Sequence, residues 1–139
     1  MRFRKLIAAA GVAATVAGFG LVSGGQASAI TADCSGSEFV CLIYQLPAGE
    51  FGGAATFKQT FSIPDYTGYY FTAGPNGSTG AGAPVKNHVG TVESWYSGTF
   101  TIYYSTGYNC ALACQTVPAW ATVNLNSSLK NNNASGKFD

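Results

Sequence analysis

The chain is 139 residues long, 47% hydrophobic and only 9% charged, with a formal net charge of +1, which excludes a charge-rich disordered tail and a polyelectrolyte. Three of the seven basic residues, Arg2, Arg4 and Lys5, crowd the N-terminus, and beyond residue 29 four lysines face six carboxylates for a balance of −2. That later part has no arginine and no basic stripe, so nucleic acid is not an expected partner.

In chain order, the basic head is followed by an uncharged stretch from Leu6 to Val22, a small polar run from Ser23 to Gln26, and Ala27-Ser28-Ala29. This is the layout of a secretory signal peptide with small residues at −3 and −1, so residues 1–29 are read as the signal and residues 30–139 as one secreted domain. Gly11, Thr15, Gly18 and Gly20 dilute the apolar stretch, which speaks against a transmembrane anchor. After signal removal no membrane anchor is expected, and the remaining residues are enough for a single core.

All four cysteines, Cys34, Cys41, Cys110 and Cys114, lie in the domain. An even count in an exported chain points to disulfides. Three pairings are possible, and the short local spacing favours Cys34–Cys41 and Cys110–Cys114.

Glycine, threonine, serine and aromatic residues dominate residues 30–139, a composition that suits strands and tight turns and predicts an all-β domain. Residues 39–44 read as a strand, 47–53 as a turn, 54–61 as a second strand and 69–72 as a third. Residues 73–84 hold four glycines and two prolines and read as a loop. The strand pattern restarts at residues 99–104, where alternation places Phe100, Ile102 and Tyr104 on one face. The tail from Lys130 to Asp139 either contains a final turn and strand with Phe138 on the core, or frays. The two halves echo each other: Lys86-Asn87-His88-Val89-Gly90-Thr91 and Lys130-Asn131-Asn132-Asn133-Ala134-Ser135 both run Lys-Asn, two further residues, a small residue and a hydroxyl residue.

Tyr44, Phe51 and Gly53, and again Tyr103 and Tyr108, approximate the aromatic hairpin signature of the βγ-crystallin Greek key, with Cys110 where the second glycine would stand. Cys34 to Cys41 ahead of Leu42-Ile43-Tyr44, the Phe51-Gly52-Gly53 turn, Val85-Lys86-Asn87, and Asn131 to Ser135 together resemble the secreted metalloproteinase-inhibitor family of actinobacteria. The resemblance implies a βγ-crystallin-like sandwich of two Greek-key motifs with two local disulfides. It also implies a substrate-like inhibitor of extracellular thermolysin-type metalloproteinases, acting as a monomer. The stretch matching the inhibitory loop is Cys110-Ala111-Leu112-Ala113-Cys114, with Leu112 the better filler of an apolar protease pocket. The alternative is a non-inhibitory secreted crystallin-like protein with a structural, calcium-binding, toxin or cell-wall-binding role.

Crystallin-like domains often bind calcium through paired Asn/Asp residues followed by hydroxyl residues. The corresponding oxygen ligands are Asn87 and Thr91 in one copy and Asn131, Asn132 and Ser135 in the other. Neither copy carries a carboxylate, the group that usually supplies affinity for a hard cation. No cofactor is expected, and the asparagines are read mainly as turn residues.

Enzymatic activity is not expected. His88 is the only histidine, whereas a triad needs a base and an orienter and a catalytic zinc site usually needs more than one histidine. Asp33, Glu38, Glu50, Asp65 and Glu93 are scattered without a motif. Tyr66, Tyr69, Tyr70, Trp95 and Tyr96 are candidates either for an exposed aromatic patch or for packing between strands.

Overall fold

The computed structural model describes residues 34–45, 53–74 and 77–139. The expected signal at residues 1–29 lies outside them, as do most of the expected turn at 47–53 and Phe51 of the aromatic signature. Among the described residues seven strands form, in order β1 (Val40–Tyr44), β2 (Thr56–Gln59), β3 (Val89–Ser94), β4 (Phe100–Tyr103), β5 (Cys114–Val117), β6 (Thr122–Asn124) and β7 (Ser135–Phe138). Among the described residues one 3-10 turn spans Thr106–Tyr108. No helix among the described residues is long and apolar enough to cross a membrane.

The strands make two antiparallel sheets, one in the order β2-β1-β3-β6 and the other β5-β4-β7. Each half of the chain repeats one plan. Its first strand is flanked by its second and its last, as β1 is by β2 and β3, and β4 by β5 and β7. The remaining segment of each half joins the opposite sheet. Strand β6 pairs with β3, while Ile63 bridges Gly136 of β7 through reciprocal backbone bonds of 2.9 and 3.0 Å. This exchange ties the two halves together, because neither sheet is complete without a segment from the other half.

The core lies between the sheets. In β1, Val40 and Leu42 face it, and in β4 Phe100 and Ile102 do the same, as period-two alternation requires. The register between β1 and β3 slips between Ile43 and Tyr44. Such an irregularity breaks the alternation and lets Val89 and Val92, three residues apart, both enter the core. Tyr66 is wholly buried, and its hydroxyl donates to Gln59 Oε1 at 2.8 Å. Gln59 Nε2 in turn donates to the carbonyls of Gly136 and Phe61, so this polar group is satisfied inside the core. Gly136 is required there, because a Cβ at that position would run into the Tyr66 hydroxyl.

Two expectations are corrected. Tyr104 does not share the face of Phe100 and Ile102; β4 ends at Tyr103 and Tyr104 is exposed where the chain enters its hairpin loop. Residues 69–72 form isolated bridges, Tyr70 to Pro84 and Thr72 to Thr56, rather than a strand. Of the two readings left open for the aromatics, packing holds for Tyr66, which is in the core, and for Tyr69 and Tyr96, which are half-buried against it, while Tyr70 and Trp95 are exposed. The tail is β7, and Phe138 packs edge-on against Phe100 and Tyr96 at 5.0 and 4.8 Å between ring centres.

Candidate functional site

Both disulfides have the local pairing, Cys34–Cys41 and Cys110–Cys114. The second closes the far end of the β4–β5 hairpin. Tyr103 and Cys114 are register partners, and Tyr104 N donates to Ala113 O at 3.0 Å. Between them the chain rises through Gly107 and Tyr108, both in the left-handed region at φ 72° and 60°.

The base of this loop is braced from three directions. Gly107 N donates to Pro64 O at 2.8 Å. The buried Ser135 hydroxyl donates to Ser105 O at 2.6 Å and accepts from Tyr108 N at 3.3 Å. The Tyr108 ring leans on Tyr103 with 5.9 Å between centres. Above the brace, Asn109 Oδ1 accepts from Ala111 N at 2.8 Å and closes a side-chain turn. Ala113 is half-buried against the core, whereas Ala111 and Leu112 project outward, and Leu112 is 72% exposed. An isolated exposed leucine is ordinary. Here it caps a covalently closed, uncharged loop whose base is hydrogen-bonded to two other segments.

The candidate calcium residues occupy two turns that touch. Asn87 and Asn131 both take left-handed conformations, φ 64° and 66°. The buried Asn133 joins the turns: its carbonyl accepts from Asn87 N, its Oδ1 from Val89 N, and its Nδ2 donates to Val85 O. Asn131 N donates to Val89 O at 3.2 Å. The hydroxyls expected as ligands have structural partners, Ser135 with Ser105 and Thr91 with Asn124 Oδ1 at 2.8 Å. Asn132 is exposed, and Asn131 Oδ1 is buried without a hydrogen-bond partner among the described residues. One orphan amide oxygen beside two committed hydroxyls is a poor donor set for calcium, which takes six or more oxygens. His88 stacks parallel to Tyr44 at 6.1 Å, and its Nδ1 lies 2.9 Å from Lys86 O.

No protein-family model matches the chain, and no curated protein or solved structure matches it. The two tryptophans, Trp95 and Trp120, line one cleft at the surface beside β3. Trp120 escapes sequence reading because it follows a proline turn outside any regular pattern; the signal available was a bulky aromatic directly after Pro118-Ala119.

Proposed function

We propose that the chain is a secreted inhibitor of extracellular thermolysin-type metalloproteinases, built as two βγ-crystallin-like Greek keys. The exchange of one segment between the halves supports the Greek-key reading, since it makes each four-segment half dependent on the other. One observation carries the inhibitory reading: Leu112 stands 72% exposed at the tip of the Cys110–Cys114 loop.

The physical basis is pre-organisation. A substrate peptide loses backbone and side-chain freedom when it enters a protease cleft, at roughly 1–2 kcal/mol per backbone residue ordered. The loop from Asn109 to Cys114 has already lost that freedom to its disulfide, its asparagine turn and the bonds at its base, so a larger share of the contact energy appears as affinity. Leu112 supplies the medium-sized apolar side chain that such a protease takes just beyond the scissile bond, and the absence of charge from Tyr104 to Val117 avoids burying an unpaired ion. If the peptide bond before Leu112 is cut, the disulfide holds both new ends in place.

The test is titration of the purified domain, residues 30–139, into a thermolysin assay. Stoichiometric loss of peptide hydrolysis is expected, and undiminished hydrolysis at micromolar domain rejects the reading.

A further inference from the structure

We propose that the cleft between Trp95 and Trp120 is a carbohydrate-binding site for a pyranose unit of a neutral polysaccharide, separate from the Cys110–Cys114 loop and independent of the inhibitory reading. The chain has two tryptophans. They are 25 positions apart, yet both line one cleft of about 190 Å³ with Glu93, Ser94 and Thr122. Trp95 is 39% and Trp120 58% exposed.

Each indole is held there by structure that a merely incidental surface aromatic does not need. Trp95 follows β3 and is fixed through both backbone groups, its N donating to Phe39 O at 2.9 Å and its O accepting from Glu38 N at 2.8 Å. Its ring stacks on the buried Phe39, whose ring also lies 4.4 Å from the Lys58 ammonium. Cys34–Cys41 closes the chain around Phe39, so the first disulfide anchors the platform on which Trp95 rests. Trp120 occupies the third position of the turn Pro118–Ala121, closed by Ala121 N to Pro118 O at 3.3 Å, with φ of +60°. Glycine normally fills a left-handed third position, and a bulky side chain there is strained. The turn is then docked onto β3 by Ser94 N donating to Ala121 O at 2.8 Å. Strain kept at a solvent-facing aromatic points to use of that side chain.

The polar groups select the ligand. Glu93 and Thr122 are cross-strand partners on β3 and β6. Among the described residues the Glu93 carboxylate, the Thr122 hydroxyl and the two indole N–H groups have no hydrogen-bond partner. Lys58, two strands from Glu93 in the same row with Cys41 between them, is turned instead to Ser35 O and the Phe39 ring. The cleft therefore offers acceptors and donors together beside two apolar ring faces. A sugar ring has that composition, with C–H faces to lie on indole and hydroxyls around its edge to donate and accept. A quaternary ammonium ion would satisfy the ring faces and the carboxylate but would leave every donor unused.

Because both tryptophans sit in the cleft, intrinsic tryptophan emission reports on it alone. The probes are hexasaccharides of glucose, xylose and N-acetylglucosamine, with tetramethylammonium chloride as the cationic competitor. A saturable emission shift with at least one hexasaccharide is expected. By calorimetry, affinity falls at least tenfold in Trp120→Ala and in Glu93→Gln and is unchanged in Leu112→Ala. Trp120→Gly also abolishes binding while its melting temperature rises, by about 4 °C, as the left-handed strain is released. The proposal is overturned by no shift with any sugar at millimolar concentration, by a response to tetramethylammonium alone, or by full sugar affinity in Trp120→Gly.

Discussion

Leu112→Ala separates the inhibitory loop from the fold. The substitution removes three carbons, worth about 0.8 kcal/mol each on full burial. Since the residue is 72% exposed in the free protein, about that fraction remains to be gained in a protease pocket, or about 1.7 kcal/mol. At about 1.4 kcal/mol per factor of ten, the inhibition constant rises about 15-fold. The same exposure sets the folding cost, and surface substitutions of this kind stay within about 0.5 kcal/mol. The paired measurements are inhibition of thermolysin and urea unfolding of the same preparation. An unchanged inhibition constant refutes the assignment of Leu112. A stability loss matching the affinity loss refutes the claim that its side chain is free, because the leucine would then be packed.

Cys110→Ser with Cys114→Ser removes a constraint on a five-residue loop, lowers stability by about 2 kcal/mol in the chain-entropy account, and weakens inhibition; urea midpoints with and without reductant check the first part. Tyr66→Phe leaves Gln59 Oε1 unpaired in the core and costs about 1–3 kcal/mol by chemical denaturation. Burial raises the Tyr66 hydroxyl well above its ordinary value of 10.0, so the stability tied to its protonated form is present below pH 10 and declines as pH rises above it, and the phenylalanine variant shows a flatter alkaline limb. Asp65 is held at about 2 by hydrogen bonds from the Lys86 ammonium and from Thr67. With its folded value below the unfolded one, its contribution is present above about pH 4 and is lost as pH falls from about 4 through 2. Melting temperatures across that window fall less steeply for Asp65→Asn than for the parent.

The features legible in the sequence were those decided by neighbours along the chain. The apolar run of β1 and the alternation of Phe100 and Ile102 in β4 read as strands, and both disulfides join cysteines close enough to meet without any knowledge of the fold. The doubled Lys-Asn stretches marked the two touching turns correctly, although the backbone conformation of Asn87 and Asn131, and not a row of ligands, is what they share. Strands β3, β5 and β6 were illegible for separate reasons. Gly90 and the register slip hide the period of β3, β5 carries one core residue, Val117, and β6 is three residues long. Each exists because a partner strand distant in sequence or across a turn supplies its hydrogen bonds, which is a tertiary cause.

The amino-acid sequence alone determined an all-β, low-charge chain with locally paired cysteines, because composition, alternation and short loop closure act within a few residues. Only the tertiary structure decided which face each aromatic takes. It sent Tyr66 inward over Gly136, turned Tyr104 out at the end of β4, and brought Trp120 to Trp95 by docking the Pro118–Ala121 turn on β3. Those outcomes depend on which segments pair across long separations, and pairing of that kind is set by the summed burial of both halves, which no local pattern carries.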